Sequence, residues 1–379
     1  MFLLVHEKSL FNLKLCSASF LIFLMTLQSF YFMGASILCY IGAALLAFWG
    51  LIRFKVDKFF LLFSLFVVTL LSIHYVGRVF FHGVDVADVK VYLSTSAMVF
   101  LLPLWQQVIN SDFAILCRSV ALVILIHSLA VFAQLVYWVL IGDYLDLLGL
   151  LGGEESRAVS SKALVLSGDV VPRFTGLFNE PGTYSVVVFS LVSTYCYLIR
   201  KLDFVVLLSL ISIVITMSAF GIVLSVLLLA YAFLFLGNAR RLGVIFLVFL
   251  ATILAVYAGV QVALVERFDS EGSGLSFRTQ MLEFYYDKAS VFGIGVSELP
   301  AEFVINDLGL WFYLLFYYGL FGLVLILLMG AVSLLKSKNF MALFVFGLIM
   351  LTKLKFTYPL YWFVFLMIAV RSADRNQRP

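Results

Sequence analysis

Three arginines and two carboxylates stand where an otherwise apolar chain turns polar. Arg173 opens the run Arg173-Phe-Thr-Gly176-Leu-Phe-Asn-Glu180-Pro181-Gly182, at the end of the longest polar interruption. Arg267 and Arg278 flank a glycine- and serine-rich stretch, Ser270 to Ser276, in a second interruption. Charge at a membrane boundary costs free energy unless it is solvated, paired or used. Fixed guanidinium forks grip pyrophosphate bidentately, and Gly176 beside a helix start suits an anion site. The ordinary alternatives are pairing with loop carboxylates and snorkelling to headgroups. Glu180 has two explanations of its own. In Asn179-Glu180-Pro181, Asn179 reads as a helix cap and Pro181 as a first-turn residue, so Glu180 suits the positive end of the helix dipole. Asp307, in Asn306-Asp307-Leu308-Gly309, directly precedes another apolar run.

The elements that must position these residues are helices in a membrane. The chain is 64% hydrophobic and 12% charged, about half the charge of an ordinary soluble domain. Apolar runs near spanning length recur throughout, without the alternation of a β-barrel. The expected fold is an all-α polytopic integral membrane protein, a single transmembrane domain over 1–379. Its twelve expected spans are 15–32, 35–52, 59–77, 91–109, 114–141, 183–199, 204–219, 220–237, 243–263, 308–335, 340–352 and 356–370. The run 204–237 is split at the turn Ser218-Ala-Phe-Gly221, and 340–370 at Lys353 and Lys355. With the N-terminus inside, Lys8 and Lys14, Arg53 to Lys58, Arg200-Lys201, Arg240-Arg241, Lys336, Lys338 and the basic C-terminus all fall on one side. The positive-inside rule makes that side cytoplasmic and places both termini there.

Two long segments then face outward, 142–182 and 264–307. Loops of this length on a rigid bundle commonly carry function. In the second, Phe277 to Lys288 reads as an amphipathic helix capped by Ser276, and Phe292-Gly-Ile-Gly295 as a tight turn. Cys16, Cys39, Cys117 and Cys196 lack any CxxC or Cys/His pattern and read as packing residues. His6, His74, His82 and His127 are too scattered for a zinc signature, and His127 reads as a packed, hydrogen-bonded helix residue.

This layout resembles the O-antigen polymerase and ligase superfamily. The resemblance rests on Arg173-Phe-Thr-Gly176 with Glu180-Pro181, then Arg278, Phe292-Gly-Ile-Gly295, Asp307-Leu-Gly309 and Gly319-Leu-Phe-Gly322, in that order over about residues 60–370. It implies a glycosyltransferase class C-like fold in the bacterial inner membrane, with its active site on the periplasmic side and 142–182 and 264–307 as large periplasmic loops. The implied activity transfers a growing glycan from undecaprenyl pyrophosphate onto the non-reducing end of a lipid-linked repeat unit. The resemblance implies no cofactor and no metal. The expected partners are that lipid-linked oligosaccharide, membrane lipid and a chain-length regulator protein. Arg173 and Arg278, helped by Arg267, would hold the leaving pyrophosphate. Glu180 or Asp307 would take the proton of the attacking hydroxyl. Tyr184, Tyr285 and Trp311 would stack on sugars, unless they belong to the interfacial aromatic belt. The ligase branch carries a histidine before the tenth-span equivalent, where this chain has Asn306-Asp307, so a polymerase is favoured over a ligase. A transporter or flippase is the alternative from another class.

Overall fold

A computed structural model describes residues 2–28, 37–52, 57–152, 164–166, 169–236, 274–288, 290–294 and 308–370. Arg267, Asp307 and the expected span 243–263 lie outside these, as does the side chain of Arg278. The helices are α1 (Phe2–Thr26), α2 (Ile37–Leu51), α3 (Lys58–His82), α4 (Val86–Ile141), α5 (Leu147–Leu150), α6 (Pro181–Ile199), α7 (Phe204–Ile215), α8 (Ala219–Phe235), α9 (Gly274–Lys288), α10 (Leu310–Tyr318), α11 (Leu320–Ser337), α12 (Phe340–Leu351) and α13 (Pro359–Val370). Four of them, α3, α4, α6 and α11, are long and apolar enough to cross a membrane. The protein is helical and membrane-embedded. One small hairpin interrupts the pattern inside the first long segment, β1 (Leu164–Leu166) against β2 (Asp169–Val171).

Several helix ends follow from single residues. Asp57, Asp203, Ser218 and Asn339 each cap a helix by accepting a backbone N–H with the side chain. Arg200 and Lys338 close helices in the left-handed conformation. The split of 204–237 falls at Thr216–Ser218, where Met217 adopts a φ of 53°. The expected spans 91–109 and 114–141 form one helical run, broken only in dihedral angle at Asp112 (φ −124°, ψ 30°). The expected single span 308–335 is corrected to two helices, α10 and α11. Gly319 (φ 57°, ψ −130°) breaks the run, and Gly322 lets the second helix fold against the first, since a Cβ there would collide with the Leu314 carbonyl. Ser276 lies inside α9 rather than capping it.

The chain divides into two compact units, 1–39 with 117–273 and 40–116 with 274–378. The first is built around α6, buried along almost its whole length. Ser185, Ser190 and Thr194 on α6 bond the carbonyls four residues back, so their hydroxyls enter the core satisfied. His127 meets Thr26 Oγ1 at 2.8 Å and stacks on Phe23 and Phe178, the packed role expected of it. The second unit is built around α13, equally buried. There α12 and α13 form an antiparallel hairpin. Tyr361 reaches Met350 and Phe365 packs on Phe346, pairs centred on Lys355 and Phe356. Trp362 Nε1 donates to the Phe356 carbonyl at 2.9 Å and closes the tip. Each arm has 12 residues and is about 18 Å long, short of a hydrocarbon core of about 30 Å.

Candidate functional site

In the first unit the segment entering α6 is anchored by one buried amide. Gln134 Oε1 accepts the N–H groups of Thr175 (3.1 Å) and Gly176 (2.8 Å), while Nε2 donates to Tyr144 Oη, the Leu145 carbonyl and the Gly176 carbonyl. Tyr144 also bonds Thr175 Oγ1 at 2.8 Å. Gly176 turns the chain at a φ of 60°, against Val131 and the Tyr184 ring. Arg173 projects from this anchored loop. It is half-buried, and Nη2 donates to the Met217 carbonyl at 3.4 Å, at the α7–α8 break. The irregular backbone of that break therefore orients the guanidinium.

Glu180, not Asn179, occupies the cap position of α6, in extended conformation and with no side-chain capping bond. That corrects the expected helix start. The Glu180 carbonyl begins the helix by accepting the Tyr184 N–H at 3.1 Å, and its half-buried carboxylate is not spent on the cap. Tyr184 has a different place from the one expected. Its side chain is fully buried and its hydroxyl meets Ser212 Oγ at 2.6 Å, so its ring presents no face to a sugar.

In the second unit Arg278 lies on α9, three and seven residues before Met281 and Tyr285. Met281 is fully buried, and Phe284 and Tyr285 stack against Phe312 and Phe316 of α10. Tyr286, Asp287 and Lys288 are exposed. Burial, and secondarily Tyr286, raises the Tyr285 phenol above its ordinary range, so it stays protonated as a donor. Trp311 on α10 is 38% exposed and packs edge-on against Phe312. Tyr285 and Trp311 keep partly open surfaces.

A third group was not singled out from sequence. Arg78 Nη2 pairs with Asp88 Oδ2 at 3.1 Å, and both side chains are buried. Asp88 Oδ1 accepts the Tyr317 hydroxyl at 2.8 Å, while Arg78 lies over the Tyr317 ring and donates to its carbonyl. Arg78 Nε has no hydrogen-bond partner among the described residues. His74 bonds the Phe292 carbonyl at 2.9 Å among Tyr317, Tyr318 and Phe321. The Phe292-Gly293 turn completes the helix break, because Ile294 N–H donates to the Phe316 carbonyl and Leu320 N–H to the Val291 carbonyl. The expected spans 59–77 and 91–109 stop short of both charges and leave Arg78 and Asp88 in a link, whereas the helices run on to His82 and start again at Val86. Their signal was symmetry. Each lies five residues from Gly83, the turn between α3 and α4, and Tyr75 stacks on Tyr92 across the same turn.

No protein-family model, curated protein or solved structure matches the chain.

Proposed function

We propose that the chain is a polysaccharide polymerase, a glycosyltransferase using a lipid diphosphate-linked donor at the outer face of a bacterial inner membrane. The observation that carries this reading is the arrangement around Arg173. A half-buried guanidinium is oriented by a helix break and held by the Gln134 anchor, seven residues before a carboxylate that does not serve as a cap. A cation held in place stabilises the charge that develops on a leaving diphosphate, and a half-buried carboxylate can accept a proton. In this reading an acceptor hydroxyl attacks the anomeric carbon of the donor glycan. The carbon–oxygen bond to the diphosphate breaks, the lipid diphosphate leaves, and the hydroxyl proton passes to Glu180 or Asp307. Arg278 and Arg267 join Arg173 on the diphosphate, while Tyr285 and Trp311 flank the sugars. Cytoplasmic termini and periplasmic loops belong to the same proposal; of the twelve expected spans, 340–352 and 356–370 are each too short for a full crossing.

One observation favours a second reading. The break at Gly319 beside a buried ion pair is a feature of transporters, whose discontinuous helices line substrate sites. Cells carrying Arg173→Ala or Arg278→Ala separate the two. Loss of long-chain polysaccharide with normal protein in the membrane supports polymerisation. Wild-type chain length in both variants removes the arginines from the reaction.

A further inference from the structure

The hairpin of α12 and α13 is too short to be two spans, and both of its outer ends are basic. Lys336 and Lys338 precede it and Arg371 follows it, so both ends belong at the cytoplasmic surface. Three independent lengths place its tip. Each arm rises about 18 Å from those ends. On α2, Tyr40 donates to the Thr357 carbonyl at 3.2 Å and lies eleven residues before Leu51, about 16 Å above that basic end. On α3, Phe63 stacks on Phe365, each five residues from its basic end, about 8 Å up on both. The tip, 352–358, therefore stands near the middle of a core about 30 Å thick.

The backbone of the tip is not helical, and it carries Lys353 and Lys355. Irregular backbone at this depth is tolerated where it is enclosed by protein or lines a wet cavity, and an ionisable group there marks a site. Leu354 and Phe356 point into the protein and are fully buried, whereas Lys353, Lys355 and Thr357 are half-exposed. Lys355 Nζ donates to Tyr358 Oη at 3.3 Å and lies 4.9 Å from the centre of that ring. No carboxylate among the described residues lies within ion-pair distance of it. The first N–H of α10 donates to the Thr352 carbonyl at 2.6 Å, so the tip also supports the start of the broken helix pair.

We propose that the 352–358 tip binds the phosphate-type head of a membrane amphiphile, with Lys355 as its cationic contact. An ammonium in a low-dielectric setting attracts an anion more strongly than at a surface, and a lipid-borne anion reaches this depth with its chain already in the core. The identity of the head as a diphosphate rests on the reaction proposed above; the site itself rests on the hairpin.

The test uses the full chain in phosphatidylcholine nanodiscs and a fluorescent farnesyl diphosphate. Lys355→Gln is expected to weaken binding about tenfold or more and Lys355→Arg to stay close to wild type, as for loss and retention of one charge-assisted contact. Equal affinity in Lys355→Gln overturns the proposal. Competition assigns the source. Displacement by unlabelled farnesyl diphosphate but not by inorganic pyrophosphate or phosphatidylglycerol supports an isoprenoid diphosphate. Equal displacement by pyrophosphate overturns the amphiphile. A second measurement leaves Lys355 intact. With the four native cysteines replaced by alanine, Thr357→Cys should react with a membrane-impermeant thiol reagent and be protected by farnesyl diphosphate. An unreactive or unprotected Cys at this position overturns the site. Polymer formation is scored on the same preparations. Binding that depends on Lys355 in a protein that makes no polymer sinks the reaction and keeps the site; a polymer-forming protein whose binding ignores Lys355 does the reverse.

Discussion

Replacing Asp88 with leucine should cost far more than replacing both members of its pair. Asp88 accepts from Arg78 at 3.1 Å and from Tyr317 at 2.8 Å, and Arg78 is only 2% exposed. Removing the carboxylate leaves a buried guanidinium and a buried phenol without their acceptor. Breaking such a pair costs about 3–5 kcal/mol, and the orphaned phenol adds roughly 1 kcal/mol. Arg78→Met combined with Asp88→Leu removes both charges and should recover most of that loss, to within about 1–2 kcal/mol of wild type. Asp88→Asn keeps an acceptor for Tyr317 and should fall between. Denaturant unfolding of the purified protein in detergent, run as a double-mutant cycle, gives the coupling. It should be at least about 2 kcal/mol. If the double variant is as unstable as the sum of its singles, the buried pair is not what holds these helices, and the account of the Gly319 break loses its brace.

Gln134→Leu leaves the N–H groups of Thr175 and Gly176 without their acceptor. It should destabilise by about 2–4 kcal/mol and raise proteolysis of the Arg173 loop; unchanged cleavage would contradict the anchor. Gly322→Val should drive a branched side chain into the Leu314 carbonyl and cut membrane accumulation of the protein, measured by quantitative blotting. Tyr184→Phe forfeits the hydroxyl's bonds to Ser212 and Ser128, about 1–2 kcal/mol, and should leave polysaccharide length unchanged. A shortened product from a stable Tyr184→Phe protein would return that residue to the site.

The helices were legible because apolar runs and caps are local signals. The turn at Ser218 is such a signal and was expected; the caps Asp57, Asp203 and Asn339 are equally local, yet none was among the expectations. The broken helix 310–337 could not, because its cause is the approach of Gly322 to Leu314, a contact between helices. The cap at Glu180 was misassigned to Asn179 because both residue types suit a helix start and only the backbone dihedrals decide. Arg173 was found because it stood out against apolar neighbours, whereas its orienting partner is a backbone carbonyl at Met217 that carries no sequence signal. The burial of Tyr184 is illegible for a related reason. An aromatic residue at a helix start looks alike whether it faces a ligand or, as here, a serine on α7. Arg78 and Asp88 escaped because hydropathy underestimated the length of α3 and α4, and charges placed in a link need no explanation.

The most direct measurement of the central claim is polymerisation by the purified chain supplied only with a defined undecaprenyl diphosphate-linked repeat. A ladder of lengthened glycans with release of the lipid diphosphate is expected, and no ladder from Arg173→Ala protein that folds normally. A folded wild-type protein that leaves the repeat unlengthened, or an Arg173→Ala protein that makes the full ladder, would contradict it.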